Sequence, residues 1–369
     1  MIDYDLIIVG GGPAGSTLAR VLVKQDWRVL VVDKADFPRD KTCAGWVTPA
    51  VMRYLHVDLE DYARERVLQP IHRFRIGLMG QKPVDNFHGD EPVSYGIRRY
   101  ELDEYLLNRS GAELATGEKV KSLDHGEDGW TVNGRYRAPR LVGAGGHFCP
   151  VASRLGDGPG GHERAVTAKE VEFPMNAEQA RACPVPEDQP ELWFCRDLKG
   201  YAWIFRKGDW LNVGLGREDN HRLGEHLDAF VRERTDSGRL PADMPERYKG
   251  HAYLLYDHAL RPLVGDDVLL VGDAAGLAYT QSGEGIRTAV ESALLAADTL
   301  TRGAPLTEYS ERMEQRFGQR ARSEPEQPAL AGLKQWAARP LMRTHWFTRR
   351  VVTERWFLHS HVPALPASA

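Results

Sequence analysis

Two glycine-rich segments near opposite ends of the chain carry residue types suited to holding a phosphorylated ligand. The first is Gly10-Gly11-Gly12-Pro13-Ala14-Gly15, with Asp33 about 18 residues beyond Gly15 and Lys34 after it. At this spacing Gly10 permits a tight turn, Gly12 lets backbone approach a pyrophosphate, and Gly15 seats a helix close to a strand. Pro13 and Ala14 open the helix, whose free N–H groups and positive dipole end face the phosphates. An acid at the position of Asp33 can accept both hydroxyls of a ribose. The second segment is Gly272-Asp273-Ala274-Ala275-Gly276, followed by Gln281-Ser282-Gly283-Glu284-Gly285-Ile286. Here the acid is placed to hold a polyol, and Gly283, Gly285 and Ile286 start a helix that can aim its dipole at an electron-rich ring edge.

The elements that must position these residues follow from periodicity. Leu6–Val9 is a short apolar run, Ser16–Lys24 has helical spacing, and Val29–Val32 is a second apolar run ending in Asp33, together a βαβ unit. Val268–Val271 reads as a buried strand and Ile286–Leu300 as an amphipathic helix. The βαβ unit alone suits NAD or FAD equally. The late Gly-Asp segment favours FAD, which has a sugar-alcohol chain for the acid and a ring that gains negative charge on reduction for the helix end. The fold expected is α/β, an FAD-binding Rossmann-like βαβ domain with an interleaved antiparallel-sheet substrate domain and C-terminal helices.

Bulk composition narrows the field further. The chain has 369 residues, 42% hydrophobic and 27% charged, with a formal net charge of -4 and no long block of like charge, so nucleic acid is not an expected partner. No apolar stretch reaches the roughly 20 residues of a membrane span. The chain opens directly on a strand pattern without a basic leader, and a cytoplasmic protein is expected. Cys43, Cys149, Cys183 and Cys195 lie far apart without CxxC spacing, so neither a metal site nor a disulfide framework is expected.

On these segments the chain resembles the geranylgeranyl reductase family, within the wider group of aromatic-ring flavin hydroxylases and flavin halogenases. The resemblance extends over residues 1 to about 300. Phe37-Pro38-Arg39-Asp40-Lys41-Thr42-Cys43-Ala44-Gly45 looks like the loop beside the flavin, which implies cofactor contact at Ala44 and Gly45. Arg99-Tyr100-Glu101-Leu102-Asp103 looks like the group's R-x-x-x-D element, implying that Arg99 lies near the cofactor; Val120 is expected there too. Gly200-Tyr201-Ala202-Trp203-Ile204-Phe205, followed by Asn212-Val213-Gly214-Leu215-Gly216, resembles the strand that lines an isoprenoid cavity in the reductases. Alternation puts Tyr201, Trp203 and Phe205 on one strand face, where they either line a pocket or form core. Three departures stand out: Arg206 replaces a proline, Cys43-Ala44-Gly45 replaces C-G-G, and Gly143-Ala144-Gly145-Gly146-His147 lacks the acid of G-A-D-G.

The implied activity is reduction of carbon–carbon double bonds in a hydrophobic, isoprenoid-like substrate. FAD would be charged by NAD(P)H or a reduced protein donor, since no second GxGxxG for a nicotinamide cofactor is visible. Cys43, Tyr201 and His147, in that order, are the proton donors expected, and Trp203 completes the catalytic set. Arg206 suggests an anionic head group on the substrate. The alternatives are a flavin monooxygenase or halogenase and, further off, a non-redox flavin-bound cyclase or lipid carrier. Residues 1–70, 97–165 and 254–300 are expected to form the FAD-binding domain, 71–96 and 166–253 the substrate domain, and 301–369 a helical region. From Leu330 onward Lys334, Arg339, Arg343, Arg349, Arg350 and Arg355 are interleaved with Trp336, Trp346, Phe347, Trp356 and Phe357. That pattern fits helices closing the cavity or peripheral contact with an anionic membrane.

Overall fold

The computed structural model describes residues 1–156, 165–219, 222–320 and 338–365. Its parallel sheet has the order Val264–Gly265, Val268–Leu270, Arg140–Gly143, Leu6–Val9, Val29–Val32, Glu113–Ala115, only the first strand running antiparallel to its neighbour. Leu6–Val9 and Val29–Val32 are buried along their whole length, which is why they read as unbroken apolar runs. Because the strands run the same way, the loops after Val9, Val32, Gly143 and Leu270 emerge at one edge, where ligands of open α/β sheets bind. Helices Pro13–Val23 and Ile286–Thr301 pack against each other. Ile2–Asp3, Leu123–Gly126, Gly129–Val132 and Tyr136–Ala138 form a small accessory sheet.

A second sheet of seven strands has the order Lys249–Leu254, Ala165–Pro174, Trp210–Arg217, Gly200–Lys207, Glu191–Phe194, Arg73–Leu78, Val84–Phe87. All its pairings are antiparallel except that of Glu191–Phe194 with Arg73–Leu78. Side-chain alternation gives this sheet two distinct faces. One presents Ala202, Ile204 and Val213 to helix Leu223–Asp236, which buries Leu223, Leu227 and Phe230 at helical spacing. The other presents Leu192, Trp203 and Phe205, which pack with Trp46 and Phe74.

The C-terminal segment docks on that second face. A short helix, His345–Phe347, runs into a wider π-helical run, Thr348–Phe357, and Met342, Val352, Phe357 and Leu358 join the same apolar cluster. Asn86 Nδ2 donates to Thr348 Oγ1 at 2.9 Å and fixes the segment to strand Val84–Phe87. Lys334 and Trp336 lie outside the described residues. No helix among the described residues is long and apolar enough to cross a membrane.

Candidate functional site

A cavity of about 730 Å³ runs from the edge of the parallel sheet to the inner face of the seven-stranded sheet. At its nucleotide end, Gly10, Gly12, Pro13 and Ala14 form one wall and Asp33, Lys34 and Val120 another. Gly10 has φ +119°, and a Cβ there would stand 2.3 Å from the Ala144 carbonyl oxygen, so only glycine lets these two loops meet. Helix Pro13–Val23 begins at Gly12 with no side-chain cap, which leaves its first N–H groups open to the cavity. Asp33 Oδ2 accepts from Gly11 N at 2.7 Å and Oδ1 from Ala35 N at 2.9 Å. The carboxylate is therefore fixed in direction while keeping lone pairs for a sugar.

Two expected contact residues stand behind this wall instead of in it. Gly15 is walled off by the Gly10 carbonyl oxygen, 1.9 Å from where its Cβ would be, so it serves helix–strand packing. Gly272, at φ +60°, likewise packs on Ala14 and Ala289. Asp273, in the turn Gly272–Ala275, does line the cavity, as do Gly283, Gly285 and Ile286. Helix Ile286–Thr301 also starts uncapped, at Gly285. Lys41 Nζ lies 2.6 Å from His251 Nε2, which is 3.6 Å from Asp273 Oδ2. Burial works to raise the Asp273 carboxyl, but His251 and Lys41 overcome it and hold it below its ordinary value. The same burial pushes the Lys41 ammonium down to about 8.

The loop carrying Cys43, Ala44 and Gly45 is braced by charged groups on the seven-stranded sheet. Glu170 Oε1 accepts from Cys43 N at 2.6 Å, and Asn212 Nδ2 donates to the Cys43 carbonyl at 3.2 Å. Lys207 Nζ donates to Glu172 Oε1 at 2.8 Å and to the Ile97 carbonyl at 2.9 Å. Gly45, at φ +70°, has the Ile97 oxygen and Lys207 Nζ each 2.2 Å from its absent Cβ. Burial pushes the Glu170 carboxyl up to about 7 despite the Cys43 N–H and Lys207. Arg99 lies in the cavity wall and is held by Asp103 in a bidentate pair, Nε and Nη2 both at 2.7 Å, with Arg39 Nη2 3.2 Å from the same carboxylate.

Cys43, Tyr201, Trp203 and His147 all line the cavity. Trp203 lies over Gly214, where a Cβ would meet its ring at 2.3 Å, and its Nε1 donates to Asn212 Oδ1 at 2.7 Å. It is wall and core at once. The Tyr201 hydroxyl donates to the Ser282 carbonyl, which directs its proton toward backbone. His147 Nδ1 lies 3.4 Å from Arg261 Nη2. Arg206 also requires correction. Alternation turns it away from Tyr201, Trp203 and Phe205, and its Nη2 pairs with Glu187 Oε1 at 3.0 Å, so it does not meet a head group in the cavity.

Lys41, His251, Glu170, Lys207, Asn212, Tyr253, Glu284 and Phe357 escaped the sequence reading as site residues. Lys207 had a usable signal: it continues the period-two face of Tyr201, Trp203 and Phe205, and a lysine there has to be paired.

Two uncapped helix N-termini and the carboxylates of Asp33 and Asp273 share one cavity, and these residues fit FAD. The chain belongs to the FAD binding domain family, which it matches over residues 3–304; it is an FAD-dependent oxidoreductase. It is 29% identical over 331 residues to the menaquinone reductase of Mycobacterium tuberculosis, covering 80% of this chain and 76% of that one. It is 24% identical over 322 residues to a digeranylgeranylglycerophospholipid reductase of Methanococcus vannielii, covering 84% and 80%. Among solved structures, a geranylgeranyl bacteriochlorophyll reductase-like protein from Thermoplasma acidophilum superposes with a TM-score of 0.72 at 20% identity, over 93% of this chain and 88% of that one.

Proposed function

We propose that this protein saturates carbon–carbon double bonds in a prenylated, hydrophobic substrate. The observation that carries the reading is the aromatic end of the cavity, where Trp46, Tyr201, Trp203, Phe205 and Phe357 meet beside the Cys43–Gly45 loop. Such a wall excludes water and holds a flexible apolar chain at fixed distance, as hydride transfer over roughly 3–3.5 Å demands. When bound and reduced, FAD supplies the hydride; NAD(P)H or a reduced protein donor is the proposed source of its electrons. The chain's own residues hold the substrate, exclude solvent and deliver a proton. Reductase names among the relatives, for menaquinone and for a digeranylgeranyl lipid, support a prenyl chain as the substrate's reactive part.

The test is anaerobic. Dithionite-reduced protein is incubated without O2 with a prenylated naphthoquinone and with a geranylgeranyl glyceryl ether lipid, and products are weighed by mass spectrometry. The expected product is two mass units heavier per bond reduced. Consumption that requires O2, with a product heavier by oxygen, would overturn the reading in favour of a monooxygenase.

The C-terminal segment adds a proposed partner, an anionic membrane surface. Its inner side ends in the cavity at Phe357, while Leu341 and Trp346 stand exposed, Trp346 at 67%, with Arg343, Arg350 and Arg355 also exposed. Interfacial aromatics with basic neighbours favour anionic lipid, at about 1 kcal/mol per basic residue near the surface. Trp346→Ala combined with Arg343→Glu is expected to abolish salt-sensitive sedimentation with phosphatidylserine vesicles while FAD content and melting temperature stay unchanged. Equal sedimentation of variant and parent would remove the membrane from the picture.

A further inference from the structure

The double-bond reduction needs a proton as well as a hydride, and the residues just before helix Ile286–Thr301 hold an unused acid. Glu284 lies in the cavity wall between Gly283 and Gly285. Both its carboxyl oxygens are enclosed and neither has a hydrogen-bond partner. The imidazole of His359 is the titratable group in reach, Nε2 to Oε2 at 3.4 Å, and the same nitrogen is 3.5 Å from Ser282 Oγ. His359 comes from the far end of the chain. Its backbone has φ +48°, costly for a residue with a side chain, so the surroundings must impose it. Arg287 donates to the His359 and Val362 carbonyls at 3.3 Å, Arg316 donates to the Pro363 carbonyl at 2.8 Å, and both arginines are anchored on buried Glu291. The His359 ring stacks on Tyr279 at 3.6 Å between centroids, and the exposed His361 is 6.4 Å away on the solvent side.

Building on the reductase reading, we propose that Glu284 donates the proton that completes double-bond saturation, and that His359 recharges it from solvent. The balance closes simply. One alkene carbon receives the hydride, its neighbour forms a C–H bond with the Glu284 proton, and the O–H bond breaks to leave a carboxylate. That carboxylate is disfavoured by Glu291, and the positive charge of Arg287 and the nearby His359 are what it has to stabilise it. His359 gives up its Nε2 proton to that carboxylate and takes another at Nδ1 from solvent. Burial keeps the pair ready: it pushes the Glu284 carboxyl up to about 8, so the acid carries its proton at neutral pH, and pushes the His359 imidazole down to about 3, so the ring is neutral. Of the other donors considered, Tyr201 has its hydroxyl directed at the Ser282 carbonyl.

The test uses the full-length, FAD-loaded protein with two readouts. Infrared difference spectra of parent minus Glu284→Gln at neutral pH, in H2O and D2O, are expected to isolate a protonated-carboxyl band that shifts on deuteration. In anaerobic single turnover with the prenylated naphthoquinone, Glu284→Gln is expected to slow saturation by about 10²-fold or more, and Glu284→Asp to recover part of the rate. His359→Gln is expected to keep the carboxyl band, slow its exchange with D2O, and regain turnover when imidazole is added. Absence of the band, or turnover of Glu284→Gln within twofold of the parent, would overturn the relay. The two failures are distinguishable: a parent that forms no product two mass units heavier defeats the reductase reading, while the infrared arm judges Glu284 and His359 without any substrate.

Discussion

Replacing Asp103 with alanine is expected to destabilise the protein by about 3–5 kcal/mol and to release FAD. Asp103 is fully buried and answers two guanidinium groups, Arg99 through two 2.7 Å hydrogen bonds and Arg39 at 3.2 Å. Removing it leaves both cations uncompensated beside the nucleotide end of the cavity, where Arg39 also approaches Gly12. Asp103→Asn keeps one acceptor but loses the charge, and should fall between parent and alanine. Urea denaturation monitored by flavin fluorescence measures both quantities together. A midpoint unchanged in Asp103→Ala would show that Arg99 is held in place by something else.

The second large effect concerns Glu170 and pH. Its folded-state carboxyl titrates near 7, against an ordinary 4.5. The folded chain thus binds this proton more tightly than the unfolded chain does. The stability it contributes is fully present below about pH 4.5 and is lost as pH rises through about 7, a difference of roughly 3 kcal/mol. Glu170→Gln retains an oxygen to accept from Cys43 N and leaves Lys207 paired with Glu172. The variant should therefore gain on the parent as pH increases, by roughly 2–3 kcal/mol between pH 5 and 8. Unfolding free energies at several pH values across that window are the measurement. A difference between the two proteins that stays constant with pH would mean that Glu170 does not change protonation there.

The cofactor end of the fold was legible because its signals are local. Gly10, Gly12, Asp33 and Asp273 each belong to a short segment in which strand, turn and helix follow one another, and spacing alone brings them to one edge of a parallel sheet. The bracing of the Cys43 loop was not legible, because Glu170, Lys207 and Asn212 sit on three strands whose register no local pattern specifies. Only pairing of Glu170 with Gly214 and of Phe205 with Asn212 brings the three together. Arg206 misleads for a different reason. It stands out as a departure from a resembled motif, while the alternation that groups Tyr201, Trp203 and Phe205 places it on the opposite face. Glu284 and His359 lie 75 positions apart by their numbers, and nothing in either segment announces the other.

The docking of the C-terminal segment bears on how the molecule is made. The residues that wall the nucleotide end, from Gly10 to Ile286, are all synthesised before Phe357 and His359, which complete the aromatic end. A chain that stops short of Phe357 is thus expected to keep the residues of the nucleotide end while the aromatic end stands open. Such a truncated chain should be a yellow protein with an open substrate chamber.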